Sequence, residues 1–96
     1  MAISLRVMTE ADIPLGMRLK SEAGWNQTLE DWQRFLRMSP DGCFVASVDG
    51  VDLGTVCTFR FGDVAWIAMV LVDARSRGQG VGTALMNHAL TYLDQQ

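Results

Sequence analysis

The sequence is poor in the residue types that most often carry chemistry on their own. Its 96 residues hold one histidine, one tyrosine and two cysteines. His88 has no ligand partner at metal-binding spacing, and Cys43 and Cys57 lack the paired spacing of a zinc site, so no resident metal is expected. Both cysteines lie inside apolar segments and read as small core residues rather than as a disulfide or a catalytic thiol. Basic residues are outnumbered: eight Lys and Arg against eleven Asp and Glu leave a net charge of −3, and no positive field exists to hold nucleic acid. No apolar run approaches the roughly 20 residues that cross a bilayer, so no membrane partner is expected. Met1 to Arg6 contain no basic segment followed by an apolar core, so no signal peptide is read and a cytoplasmic location is the default. Repeats and low-complexity tracts are absent as well. What is left, 49% hydrophobic and 20% charged, is the composition of one soluble globular domain over residues 1–96.

Against these absences one stretch stands out. Val64 to Val72 is the longest apolar run, rich in Val with Ile and Trp, and it suits a strand buried on both faces. Asp73 to Gly82 follows, polar, basic and glycine-rich, and then Val81, Leu85, Ala89, Tyr92 and Leu93 recur at helical spacing, so a helix begins near Gly80. The first N–H groups of a helix have no internal partner and carry the positive end of the helix dipole. Glycines at 78, 80 and 82 let a ligand approach the backbone without meeting a Cβ, and Arg75 and Arg77 add full charge. A phosphate or pyrophosphate is the natural guest. Two phosphate-binding signatures fail on residues. Val81-Gly82-Thr83 offers no P-loop lysine, and Thr83 stands where a dinucleotide fingerprint needs its third glycine.

The remainder of the chain supplies a sheet and two helices. Ile3 to Val7 alternates as a half-buried first strand does. Thr9 with Asp12 and Thr28 with Asp31 read as capping boxes. The first helix runs from there past Pro14 to Gly24, and the second spans about 29–38 with Leu29, Trp32, Phe35 and Leu36 as its apolar stripe. The loop Gly24-Trp25-Asn26-Gln27 joins them. Cys43 to Val48 and Thr55 to Phe61 are the next strands, with Asp49-Gly50 as a hairpin signal between them and Gly62-Asp63 as the next reversal. The order is β-α-α-β-β-β-α, an α+β arrangement with a mixed, mainly antiparallel sheet.

Arg77-Gly78-Gln79-Gly80-Val81-Gly82 resembles the Arg/Gln-x-x-Gly-x-Gly/Ala signature of the GCN5-related N-acetyltransferases. Met69-Val70-Leu71-Val72-Asp73 resembles the strand that precedes it in that family. The resemblance covers the family's first strand through its third helix, and it implies the acyl-CoA N-acyltransferase fold, truncated. It also implies acetyl-CoA as co-substrate: Val70, Leu71 and Val72 along the pantetheine arm, and Arg77, Gly78, Gln79, Gly80, Val81, Gly82 and Thr83 around the pyrophosphate. The acceptor implied is a small-molecule or peptide amine, with Trp25 and Asn26 as candidate contacts; Trp25 reads equally as a structural plug.

No catalytic acid or base is assigned. Trp66 to Met69 offer no carboxylate, Asp73 reads as a cap of the turn, and Tyr92 lies on the core stripe of its helix. His88 reads as a partly buried helix residue. Gln95-Gln96 ends the sequence before the family's fifth strand, so the expectation is a fragment of a longer transferase or a site completed by another chain. Two alternatives stand beside the enzyme: a non-catalytic acyl-CoA-binding or regulatory module, and an interaction domain that forms a homodimer through its exposed strand.

Overall fold

The computed structural model describes residues 2–26 and 28–96; Gln27, the last residue of the expected inter-helix loop, lies outside the described residues. The elements follow in the order β1 (Ile3–Val7), a 3-10 turn (Glu10–Asp12), α1 (Ile13–Glu22), α2 (Leu29–Met38), β2 (Cys43–Val48), β3 (Val51–Phe61), β4 (Val64–Val72), a second 3-10 turn (Ala74–Ser76) and α3 (Val81–Asp94). The expected order of elements is borne out. The four strands form one sheet in the order β1-β2-β3-β4, and each neighbouring pair is antiparallel.

Local chemistry fixes the helix starts. The Thr9 N–H donates to the Asp12 carboxylate at 2.9 Å, which closes the first expected capping box around the 3-10 turn. Pro14 then falls in the first turn of α1, where its missing N–H costs nothing. At α2, the Thr28 hydroxyl accepts from the Asp31 N–H and the Asp31 carboxylate accepts from the Thr28 N–H, a reciprocal cap.

The sheet is covered on both faces. Trp32, Leu19, Cys43, Val45 and Leu71 form the core beneath α1 and α2, and Phe44, Ala46, Val56, Val81, Leu85 and Ala89 form the core beneath α3. Gly16 lets the two helices meet, since a Cβ there would come to 2.8 Å from the Trp32 ring. Gly54 does the same for α3 and β3: a Cβ would stand 2.9 Å from Leu85 Cδ1 and 3.0 Å from the Leu71 carbonyl oxygen.

Four sequence expectations are corrected. Val64 to Val72 is not buried on both faces: Val64 and Trp66 are each 52% exposed, and full burial begins at Met69. The cause is position, because β4 lies at the sheet's edge and the helices cover only its second half. β3 begins at Val51 rather than Thr55, because Val51 and Asp52 pair with Val48 and Ser47 directly across the Asp49-Gly50 turn. Leu29 lies off the α2 stripe and is 49% exposed. His88 is exposed rather than partly buried, with its ring edge-on to Phe44 at 4.4 Å.

Candidate functional site

The site grows from an irregularity in β4. Thr55 pairs with Leu71 but Cys57 pairs with Ala68, so Val56 faces both Met69 and Val70. The extra residue is a β-bulge. Met69 adopts φ 56°, a left-handed conformation unusual for a side-chain-bearing residue, and its carbonyl accepts from the Thr55 hydroxyl at 2.9 Å. The bulge also shifts the phase of the strand. Ala68 before it and Met69 and Leu71 after it pack under α1 and α2, while Ile67, Val70 and Val72 pack toward α3.

Beyond the bulge the Asp73 N–H bonds the Leu53 carbonyl at 2.7 Å. Strand alternation then turns the backbone of Val72 toward the open edge, and with it that of Val70. The chain leaves β4 through a turn organised by Asp73. Its carboxylate is 1% exposed and accepts from the Arg75 N–H at 2.9 Å, from the Arg75 guanidinium at 3.2 Å and from Arg18 at 2.8 Å. These hydrogen bonds, Arg75 first and then Arg18, hold the carboxyl well below the usual carboxylate range. Asp73 is the cap that its position suggests, and its bond to Arg18 ties the turn to α1. Glu22 adds a second tie: its carboxylate accepts from Arg18 at 3.0 Å and from the Ala74 N–H at 3.4 Å.

Gly78 and Gly80 then take φ 82° and φ 86°, the region open to glycine, and Gly80 caps α3 without a side-chain hydrogen bond. The N–H groups of Val81, Gly82 and Thr83, the first three of α3, lack intrahelical partners by position. Gly82 and Thr83 line a cavity of about 400 Å³ together with Val72, Ser76, Arg77, Gly78 and Gly80. A second cavity of about 490 Å³ adjoins it through Val72 and Arg77 and continues past Val70 and Leu71 to Glu22, Ala23 and Trp25. Together they form one trough along the open edge of β4.

Most of the residues singled out in the sequence therefore share this trough. Val81 lines neither cavity, and its side chain is buried in the core at 1% exposure. Gln79 and Asn26 are exposed but line neither cavity. Trp25, 40% exposed, stands at the trough's end and is no plug. Tyr92 packs edge-on against Phe44 at 5.5 Å, outside the trough. Glu22, Arg18 and Ser76 were not legible as site residues. Glu22 and Arg18 fall four apart on α1, which reads only as a surface ion pair; their reach to Ala74 and Asp73 is a tertiary fact. Among the described residues no group of three or more His, Cys, Asp and Glu side chains is placed to hold a metal ion, and no helix is long and apolar enough to cross a membrane.

A profile of the Acetyltransferase (GNAT) family matches residues 8–96, and the chain belongs to that family. It is 29% identical over 106 aligned positions to an uncharacterised N-acetyltransferase of Methanocaldococcus jannaschii, an alignment covering 93% of this chain and 47% of the relative. The chain thus spans about half the length of the curated relative it matches. Among solved structures it resembles Ard1 from Thermoplasma volcanium, with a TM-score of 0.90 and 26% identity over 99% of this chain and 66% of that one. It shares the fold of N-acetylglutamate synthase from Neisseria gonorrhoeae, solved with coenzyme A and N-acetyl-glutamate, at a TM-score of 0.78 and 20% identity over 96% of this chain and 22% of that one.

Proposed function

We propose that the chain binds acetyl-CoA along the β4 trough and serves the transfer of its acetyl group to a primary amine. The observation that carries this reading is a pair of adjoining cavities that share Val72 and Arg77, with the start of α3 at Gly80, Gly82 and Thr83 at one end and an aromatic ring and a carboxylate at the other. In this reading the pyrophosphate lies against the N–H groups of α3 and beside Arg77, where backbone donors and dipole act on the same charge. The pantetheine arm lies along Val70 to Val72 and adds hydrogen bonds to the edge that β3 leaves open. The outward N–H groups there polarise the thioester carbonyl as it gains negative charge under attack. An arriving ammonium first sheds one proton to solvent; the neutral amine then attacks, the C–N bond forms as the C–S bond breaks, and the second proton ends on the departing thiolate, leaving the amide and free coenzyme A. Trp25 and Glu22, with Asn26 on the neighbouring loop, orient the amine: the ring face and the carboxylate are both complementary to an ammonium group. The protein's own contribution is mainly positioning and electrostatics.

One observation favours binding without turnover as the second reading. Among the described residues no tyrosine or histidine lines the trough, so no side chain of either type is at hand to protonate the departing thiolate. Calorimetry with acetyl-CoA, on the chain and on Gly80→Asp, tests the site. The introduced aspartate sets a negative charge and a strained φ beside the phosphates, so binding should be lost; equal affinity for the two proteins refutes the assignment. Release of free thiol from acetyl-CoA in the presence of amines separates the two readings, since the binding module would show affinity alone.

A further inference from the structure

We propose that Cys43 and Cys57 are a redox modification site, a pair that closes into a reversible cross-strand disulfide within the β2–β3 hairpin. The two cysteines are directly opposite in the register. Two backbone hydrogen bonds show which kind of opposite pair they form. The Cys43 carbonyl accepts from the Met8 N–H at 2.7 Å, so the polar backbone of Cys43 faces the β1 side. The Thr58 N–H donates to the Gly42 carbonyl at 2.9 Å, which makes the neighbouring pair the hydrogen-bonded one. Cys43 and Cys57 therefore occupy a non-hydrogen-bonded position, where opposed Cα atoms approach to about 4.5 Å and side chains lie closest. That spacing falls at the short end of the roughly 4.4–6.8 Å window for disulfides. Both side chains point into the same core beneath α2, both thiols are free, and the Cys43 thiol donates to the Phe35 carbonyl at 3.8 Å.

The chemistry has a direction. The closeness of the two thiols pulls Cys43 down and pushes Cys57 up, and burial raises Cys57 further. Position makes Cys43 the attacking sulfur. It opens β2 beside the Ser39–Gly42 turn, so opening of that turn exposes it first. With a small disulfide such as oxidised glutathione as oxidant, the Cys43 thiolate displaces one glutathione thiolate to give a mixed disulfide. Cys57 then displaces the second glutathione. Two S–H bonds are lost, one internal S–S bond forms, and the two electrons and two protons appear as two molecules of reduced glutathione. Cys57 also pairs with Ala68, the residue before the Met69 bulge, so the pair lies one strand from β4.

The test is intact-mass spectrometry on the purified chain, incubated with oxidised glutathione in low urea and quenched with acid. The expected product is a monomer lighter by two hydrogen masses, with no titratable thiol after denaturation and both thiols restored by dithiothreitol. Proteolytic mapping should recover the peptides of Cys43 and Cys57 joined. Cys57→Ser, with its fold checked by circular dichroism, should stop at the glutathione adduct on Cys43. Two thiols still titratable after prolonged exposure overturn the proposal, and so do disulfide-linked dimers in place of the internal bond.

Discussion

Asp73 shows how one buried carboxylate can organise a site it does not line. Its 1% exposure would be costly for an unpaired charge, but two guanidinium groups and a backbone N–H converge on it. Because folding depresses its pKa, the group adds stability above the unfolded-chain value of about 3.9, and that contribution drains away as pH falls below it. Asp73→Asn should therefore lower the urea midpoint at pH 7. The gap to wild type should narrow as pH falls from about 5 to 3, measured by fluorescence; a gap independent of pH would contradict the ion-pair account. Gly82 gives a cleaner probe of the ligand. A Cβ there would meet only Val72 Cγ2 at 3.7 Å, an ordinary contact, so Gly82→Ala should leave the melting temperature nearly unchanged. The signature that this turn resembles accepts Ala here, so acetyl-CoA affinity should also hold, whereas Gly82→Glu sets a negative charge at the wall of the proposed pyrophosphate cavity and should lower it at least tenfold, about 1.4 kcal/mol. Glu22→Gln addresses the other end of the trough. It should raise the KM for the amine and leave the dissociation constant for acetyl-CoA unchanged; the opposite split would place Glu22 on the cofactor side.

At the scale of elements, legibility followed locality. The turn from β4 into α3 could be read because its devices are adjacent in sequence: an aspartate cap, glycines at positive φ and a helix start. The capping boxes at Thr9 and Thr28 were readable for the same reason. The Met69 bulge was not. Its phase change leaves an unbroken apolar run in place of an alternation, and such a run suggests a strand covered on both faces. Exposure of Trp66 and Val64 depends on which strands neighbour β4, a property of topology. Likewise Gly16 looks like a helix weakness until Trp32 is seen lying across it. Gly16→Ala improves helix propensity by about 1 kcal/mol, yet its Cβ would meet a fully buried ring at 2.8 Å. Overpacking of that kind costs about 1–3 kcal/mol, so the net effect should be destabilising, read as a lower urea midpoint. A higher midpoint would mean that α1 moves off α2 at little cost.

For the whole molecule the decisive feature is the free side of β4. Among the described residues no strand pairs with it, and its first half carries exposed apolar groups, Val64 at 52% and Trp66 at 52%, beside Phe61 at the end of β3 at 76%; Trp66 stacks on Phe59 at a centroid distance of 6.0 Å. Open backbone beside exposed apolar side chains is an arrangement that invites another strand. The two halves of the edge differ, however. From Val70 to Val72 it borders the trough and is reserved, in the function proposed above, for the pantetheine arm. From Val64 to Ala68 nothing competes for it. We therefore expect the chain to associate with a second copy through that first half, as a two-fold dimer that leaves the trough open. Light scattering from low to tens of micromolar should show mass rising from monomer to dimer, and acetyl-CoA should not reverse it. Trp66→Lys is the matching variant, since an exposed position tolerates the charge while the interface does not; it should stay monomeric with an unchanged circular dichroism spectrum. A wild-type monomer across the whole concentration range would rule the dimer out. Dissociation by acetyl-CoA would instead mean that the copies meet along Val70 to Val72, so that association and cofactor binding compete for one edge.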